Sequence, residues 1–213
     1  MPTASSTALL AEAALALFHL LCCGMARFDV VFEGYHGRAD DRVGSTVGLV
    51  RDGNAVIVVD PGLVPDHESI LRPLDAFGVG PGDVTDVVFS HHHPDHTLNA
   101  ALFGRARFHD HWAIYEGDRW TSRDADGFRL SPGVSLMRTP GHTAEDISTL
   151  VETPEGLVVF THVWWSESAP VEDPYATDPA ALHASRARLL GMRPRIVVPG
   201  HGRAFEPGDG TPR

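Results

Sequence analysis

The sequence predicts a layered α/β fold, in which two β-sheets pack together with helices on the outside. Three observations carry this. Strands come in runs, with helical segments between the runs. The 213 residues are 43% hydrophobic and 21% charged, the usage of a globular domain that buries a real core. Segments 28–102 and 134–203 read as two similar halves, each placing histidines at strand ends.

The elements follow in order. Phe28–Phe32 reads as a strand, and residues 33–44 as a polar, glycine-containing loop. Segments 45–51 and 54–60 are two strands joined at Asp52-Gly53, a strong hairpin signal. Asp60-Pro61-Gly62 stops the second strand, and residues 66–78 read as a helix that Gly78 ends. Residues 84–90 are a short buried strand, 97–104 a short helix and 105–110 a further strand. Residues 112–130 mix charges with few apolar side chains and read as irregular. Strands are expected at 134–139, 146–152, 157–161 and 195–199. Thr177-Asp178-Pro179 starts a helix that runs to about Leu190, with proline in the first turn.

Residues 28–206 are therefore expected to form one domain, with 207–213 as a frayed tail. Residues 1–27 read as an amino-terminal helical extension, or as a stretch ahead of a native start at Met25. The apolar run 8–23 within it is interrupted by Glu12 and His19 and is short for a membrane span. It also lacks the charged start and cleavage site of a secretory signal. Cys22 and Cys23 are the only cysteines, which excludes a disulfide framework and points to a reducing compartment, the cytoplasm.

All 17 basic residues are arginine, and the formal charge is −11. Long nucleic acids and anionic membranes are therefore not expected partners, because both need clustered cations. The 13 histidines are the anomaly. Four metal-capable side chains, His91, His93, Asp95 and His96, fall within Ser90-His91-His92-His93-Pro94-Asp95-His96. Residues two apart in an extended segment point the same way. His91 and His93 can thus face one ion, while Asp95 and His96 at the turn reach a second. His92 then points away and reads as packed or solvated. His142 in Pro140-Gly141-His142-Thr143, His162 after Phe160-Thr161 and His201 in Pro199-Gly200-His201-Gly202 share one setting, just after a strand. One such histidine is ordinarily structural; three beside a four-ligand cluster point to a metal centre. A nitrogen-rich set favours zinc, with iron or manganese as the other candidates.

The chain resembles the metallo-β-lactamase fold family through the His91–His96 run, His142 in PGHT, His201 in PGHG and Asp60 in VVDPG. The resemblance implies an αββα four-layer sandwich with two metals at its edge, one held by His91, His93 and His142, the other by Asp95, His96 and His201. A hydroxide held between the metals would be the nucleophile, oriented by Asp95. Asp60 would hold a ligand or loop in place, unless it only caps its turn. The family usually has a bridging aspartate where this chain has His162. An imidazole cannot bridge closely spaced ions as a carboxylate does, so one ion or two are both expected outcomes.

The resemblance implies a hydrolase acting on a small ester, thioester, lactone or phosphodiester. A mononuclear iron oxygenase and a non-catalytic metal-binding protein are the competing readings. Lactamases that bind zinc through cysteine are excluded, and any cationic substrate clamp must be an arginine. Trp164 and Trp165 either wall the substrate cleft or pack in the core. Tyr35 and His36 lie on the loop expected to flank that cleft, and His109 and His111 read as packed or exposed.

Overall fold

The computed structural model describes residues 25–37, 40–168 and 170–213; the amino-terminal extension expected over residues 1–27 lies almost wholly outside them. The first sheet begins with β1 (Arg27–Phe32), and a short hairpin of β2 (Tyr35–His36) and β3 (Val43–Gly44) follows. The chain returns through β4 (Val47–Asp52) and β5 (Ala55–Val59), paired antiparallel about Asp52-Gly53. Gly53 sits at φ +59°, which glycine adopts without a Cβ penalty. Next come α1 (Glu68–Ala76), β6 (Asp86–Val88), α2 (Pro94–Thr97), β7 (Arg107–His109), β8 (Ala113–Glu116) and β9 (Arg119–Ser122). The second sheet takes β10 (Arg129–Ser131), β11 (Val134–Arg138), β12 (Ile147–Thr153), β13 (Gly156–Thr161) and, after α3 (Pro179–Gly191), β14 (Ile196–Pro199).

The strand orders are β1-β4-β5-β6-β7-β8-β9 and β10-β11-β12-β13-β14. Between the sheets lies a core that includes Val50, Ile57, Val88, Leu136, Ile147, Val158 and Phe160. On the outer face of the first sheet, Ile70 and Leu74 of α1 pack against Leu49, Val58 and Val87. On the outer face of the second, Leu182 and Leu189 of α3 pack with Met137, Val159 and Val197. The layers are therefore α, β, β, α, as expected. Asp178 caps α3 by accepting the Ala181 amide at 2.9 Å, with Pro179 in the first turn.

Four local expectations are corrected. Residues 33–44 are not a simple loop but carry the β2–β3 hairpin. Residues 112–130 are not irregular: β8 and β9 pair antiparallel, and β10 starts the second sheet. Their side chains are mostly exposed, so no apolar alternation marked them. The helix expected from residue 97 begins earlier, at Pro94, so Asp95 and His96 lie on it, and a 3₁₀ turn follows at Ala100–Phe103. The tail is not frayed: Pro212 O accepts from Trp164 Nε1 at 2.8 Å, and Thr211 is buried.

The topology explains where the site forms. β5, β6 and β7 are mutually parallel, and β13 and β14 are parallel. β11 runs with β13, since each is antiparallel to β12. The carboxyl ends of these strands come to one edge of the sandwich, the usual location of sites in such sheets. Among the described residues no helix is long and apolar enough to cross a membrane.

Candidate metal centre

Four histidines of the cluster follow strands that end at that edge, and His93 and His96 come with the start of α2. β6 leads to His91, β11 to His142, β13 to His162 and β14 to His201. His91 sits within 4.6 Å (ring centroids) of His93, His96 and His162, and 5.0 Å from His142. His162 lies 4.3 Å from His142 and 4.9 Å from His201. The six rings thus form one cluster, in which five are buried and His93 is exposed at its mouth.

The outer nitrogens are anchored. His96 Nδ1 donates to Asp60 Oδ2 at 2.9 Å, and His142 Nδ1 to Asp173 Oδ2 at 2.7 Å. His201 Nδ1 donates to the Gly44 carbonyl at 3.0 Å. Ser90 Oγ spends its proton on Asp60 Oδ2, so it accepts from His91 Nδ1 at 3.0 Å. These partners assign the proton of all four rings to Nδ1, and Nε2 is left with a bare lone pair turned inward. His91 Nε2 is buried with no hydrogen-bond partner among the described residues. The Nε2 atoms of His201 and His162 face each other at 3.1 Å, and those of His201 and His96 at 3.4 Å. Lone pairs converging on a common centre are what a cation satisfies, so the residues present fit a metal.

Burial, then the neighbouring imidazoles, pushes His91 and His162 well below the ordinary histidine pKa. Burial chiefly lowers His93, and it brings His201 down to about 4. Burial also disfavours charge on His142, but Asp173 outweighs it and the net shift is upward. Four of the rings are therefore neutral near pH 7, the protonation state that ligates metal.

Two triads each bring three nitrogen donors within 4.8 Å of one another: His91, His142 and His162 in the first, and His96, His162 and His201 in the second. The grouping differs from the one the resemblance implied, in that His162 stands in both. His93 adjoins the first triad, its Nδ1 3.1 Å from His142 Nε2. Asp95 adjoins the second, with Oδ2 3.5 Å from His96 Nε2 and 3.6 Å from His201 Nε2. Asp60 is buried at φ +50°, a left-handed conformation aspartate tolerates. There it accepts the Ser90 amide, the Ser90 hydroxyl and His96 Nδ1, so it anchors the start of the histidine run rather than merely capping a turn. Gly200 leaves room for His162, since a Cβ there would lie 2.8 Å from its Cδ2.

The remaining candidates separate. His92 turns away from the cluster, 3.2 Å from Asp110 and beside Trp112. His109 is buried against Asp86 at 2.7 Å. Trp164 is in the core, whereas Trp165 lines a cavity of about 830 Å³ in front of the cluster, with His36 and Tyr175. Sequence reasoning missed Asp173. No spacing rule links it to His142, 31 residues away, yet it also accepts from Trp165 Nε1 at 3.1 Å. It missed Asp146 as well, which accepts the Thr143 amide and hydroxyl and which burial pushes up to about 6.

Comparison with known proteins gives a consistent picture. The model of the metallo-β-lactamase superfamily matches residues 40–164. Metallo-β-lactamase domain-containing protein 1 of Homo sapiens is 36% identical over 76% of this chain and 64% of its own length. The Xenopus laevis protein of that name is 30% identical over 83% of this chain and 79% of its own. The chain thus spans somewhat under two thirds of the human relative. Among solved structures, a Thermotoga maritima protein described as a metallo-β-lactamase superposes with a TM-score of 0.68 at 20% identity, over 86% of this chain and 100% of that one. A quorum-quenching N-acyl homoserine lactone lactonase superposes at 0.61 and 21% identity, over 84% of this chain and 92% of that one. At these identities the structural likeness speaks to the fold.

Proposed function

The chain belongs to the metallo-β-lactamase superfamily, and we propose that it is a zinc-dependent hydrolase of a small ester, thioester, lactone or phosphodiester, with residues 28–206 as its catalytic domain. The observation that carries this is the inward convergence of Nε2 from His91, His96, His142 and His201, each fixed by an outward Nδ1 bond. An imidazole-rich set with one carboxylate suits zinc. The solved lactonase of the same fold supports carbonyl hydrolysis as the reaction class.

His91, His93 and His142 would hold one ion, and Asp95, His96 and His201 a second, with His162 serving one or the other. A bound ion supplies Lewis acidity and lowers the pKa of water to about 7. The rest is the work of the chain. Asp95 lines the cavity beside His96 and His201, where Oδ2 would join them as a ligand and the other carboxylate oxygen would accept a hydrogen bond from the attacking water and orient it. Asp60 and Asp173 act through the rings they hold and keep His96 and His142 in register. Trp165, stacked on Tyr175, shields one side of the substrate from solvent. The cysteine pair at 22–23 with no partner elsewhere supports a reducing compartment, the cytoplasm.

The test is metal analysis of protein as isolated, followed by assay on chromogenic esters and phosphodiesters. Zinc with turnover that His93→Ala abolishes is the expected result. Iron without hydrolysis would favour an oxygenase, and zinc without any turnover a metal-binding protein.

A further inference from the structure

We propose that Arg42 binds an oxyanion on the substrate, and that the stacked Trp165–Tyr175 pair carries the substrate's apolar part. The proposal rests on the hydrolase reading above and adds the class of molecule that reading leaves open: an anionic compound with a flat or aliphatic body. Arg42 supplies the only arginine side chain among the described residues lining the cavity, and the chain has no lysine. Its guanidinium is exposed and leans over the Tyr35 ring, 5.2 Å from the centroid, with Nη2 3.4 Å from the Tyr35 hydroxyl. No carboxylate among the described residues forms an ion pair with it, so the donors other than the one turned to the Tyr35 hydroxyl stay available to a ligand.

The hairpin that carries Arg42 is tied to the cluster. Two residues along, the Gly44 carbonyl accepts His201 Nδ1 at 3.0 Å, and Thr46 N donates to the Gly200 carbonyl at 2.7 Å. On the same hairpin His36 meets the Trp165 ring edge-on at 5.2 Å. Trp165 and Tyr175 stack at 5.7 Å with planes 8° apart, and Asp173, the anchor of His142, holds the Trp165 indole N–H. The cationic arm and the apolar wall therefore both hang from histidines of the cluster. A substrate whose anion lies on Arg42 and whose body lies on Trp165 presents the bond between them to the histidines.

The test is equilibrium binding to metal-loaded protein, wild type and Arg42→Gln, of three naphthalene probes: 2-naphthylacetate, the corresponding methylphosphonate and 2-naphthylacetamide. Wild type is expected to prefer one or both anions over the amide by at least tenfold, the carboxylate and phosphonate arms telling which oxyanion the site suits. Arg42→Gln is expected to lose that preference, while Trp165→Leu weakens all three probes alike. A preference that survives in Arg42→Gln would place the anion on the metal and overturn the proposal, as would no preference, or no binding, in wild type. Because the readout is binding, an anion preference without ester turnover would sink the hydrolase reading and leave the Arg42 site standing.

Discussion

Asp173 Oδ2 accepts hydrogen bonds from both His142 Nδ1, at 2.7 Å, and Trp165 Nε1, at 3.1 Å, so one carboxylate oxygen sets a candidate metal ligand and the aromatic wall of the cavity together. The segment bearing Asp173 is itself held by the buried Arg186, which donates to the carbonyls of Val163, Val171 and Pro170. The prediction is that Asp173→Asn lowers metal affinity about 10–100-fold, as loss of a ligand's supporting bond does. Competition against a chromogenic chelator measures it, and unchanged affinity would count against the anchoring role.

His162 is shared by both nitrogen triads, yet as an imidazole it offers each ion no bridging oxygen. His162→Asp is expected to raise the metal bound per chain and to alter turnover. Elemental analysis of the two proteins side by side checks this; the same stoichiometry and the same activity in both would refute it.

Gly62 closes the turn that carries Asp60 against the turn that carries Asp95. A Cβ at Gly62 would lie 1.7 Å from the Asp95 carbonyl oxygen, a backbone atom that cannot swing aside. Gly62→Ala should therefore cost about 1–3 kcal/mol or more of stability and displace Asp95 and His96. Urea unfolding reads the first effect and metal content the second. A variant as stable and as metal-replete as the parent would show that the turn yields freely.

Asp110 gives a pH dependence away from the cluster. Burial raises its carboxyl, but hydrogen bonds from His92, Tyr115 and two backbone amides outweigh this and bring the pKa down to about 2. A depressed folded-state pKa means stability that is present above the unfolded value near 4 and lost as pH falls towards 2. The contribution is on the order of 2 kcal/mol. Unfolding free energies between pH 5 and 2 should fall less steeply in Asp110→Asn than in wild type, and equal slopes would remove Asp110 from the account.

The sequence by itself determined the layered fold and the set of histidines. Strand spacing, the Asp52-Gly53 hairpin and the Asp178-Pro179 helix start are local signals, and each element they mark is present in the fold. Histidines that follow strands are likewise legible, because the end of a strand is a local event. Tertiary structure decided the rest. The hairpin at residues 113–122 has mostly exposed side chains, so its pairing partner, not its pattern, makes it a sheet. The fit of His162 between the two triads depends on the space above Gly200, and the hold on His142 depends on Asp173, 31 residues away. Nor does composition say which arginine among the described residues lines the cavity; the pairing of His201 with the Gly44 carbonyl does, by pinning the hairpin that carries Arg42. The identity of the candidate ligands is written in local sequence, whereas the orientation of each side chain and the shape in front of it come from contacts between distant segments, which only the packed chain brings together.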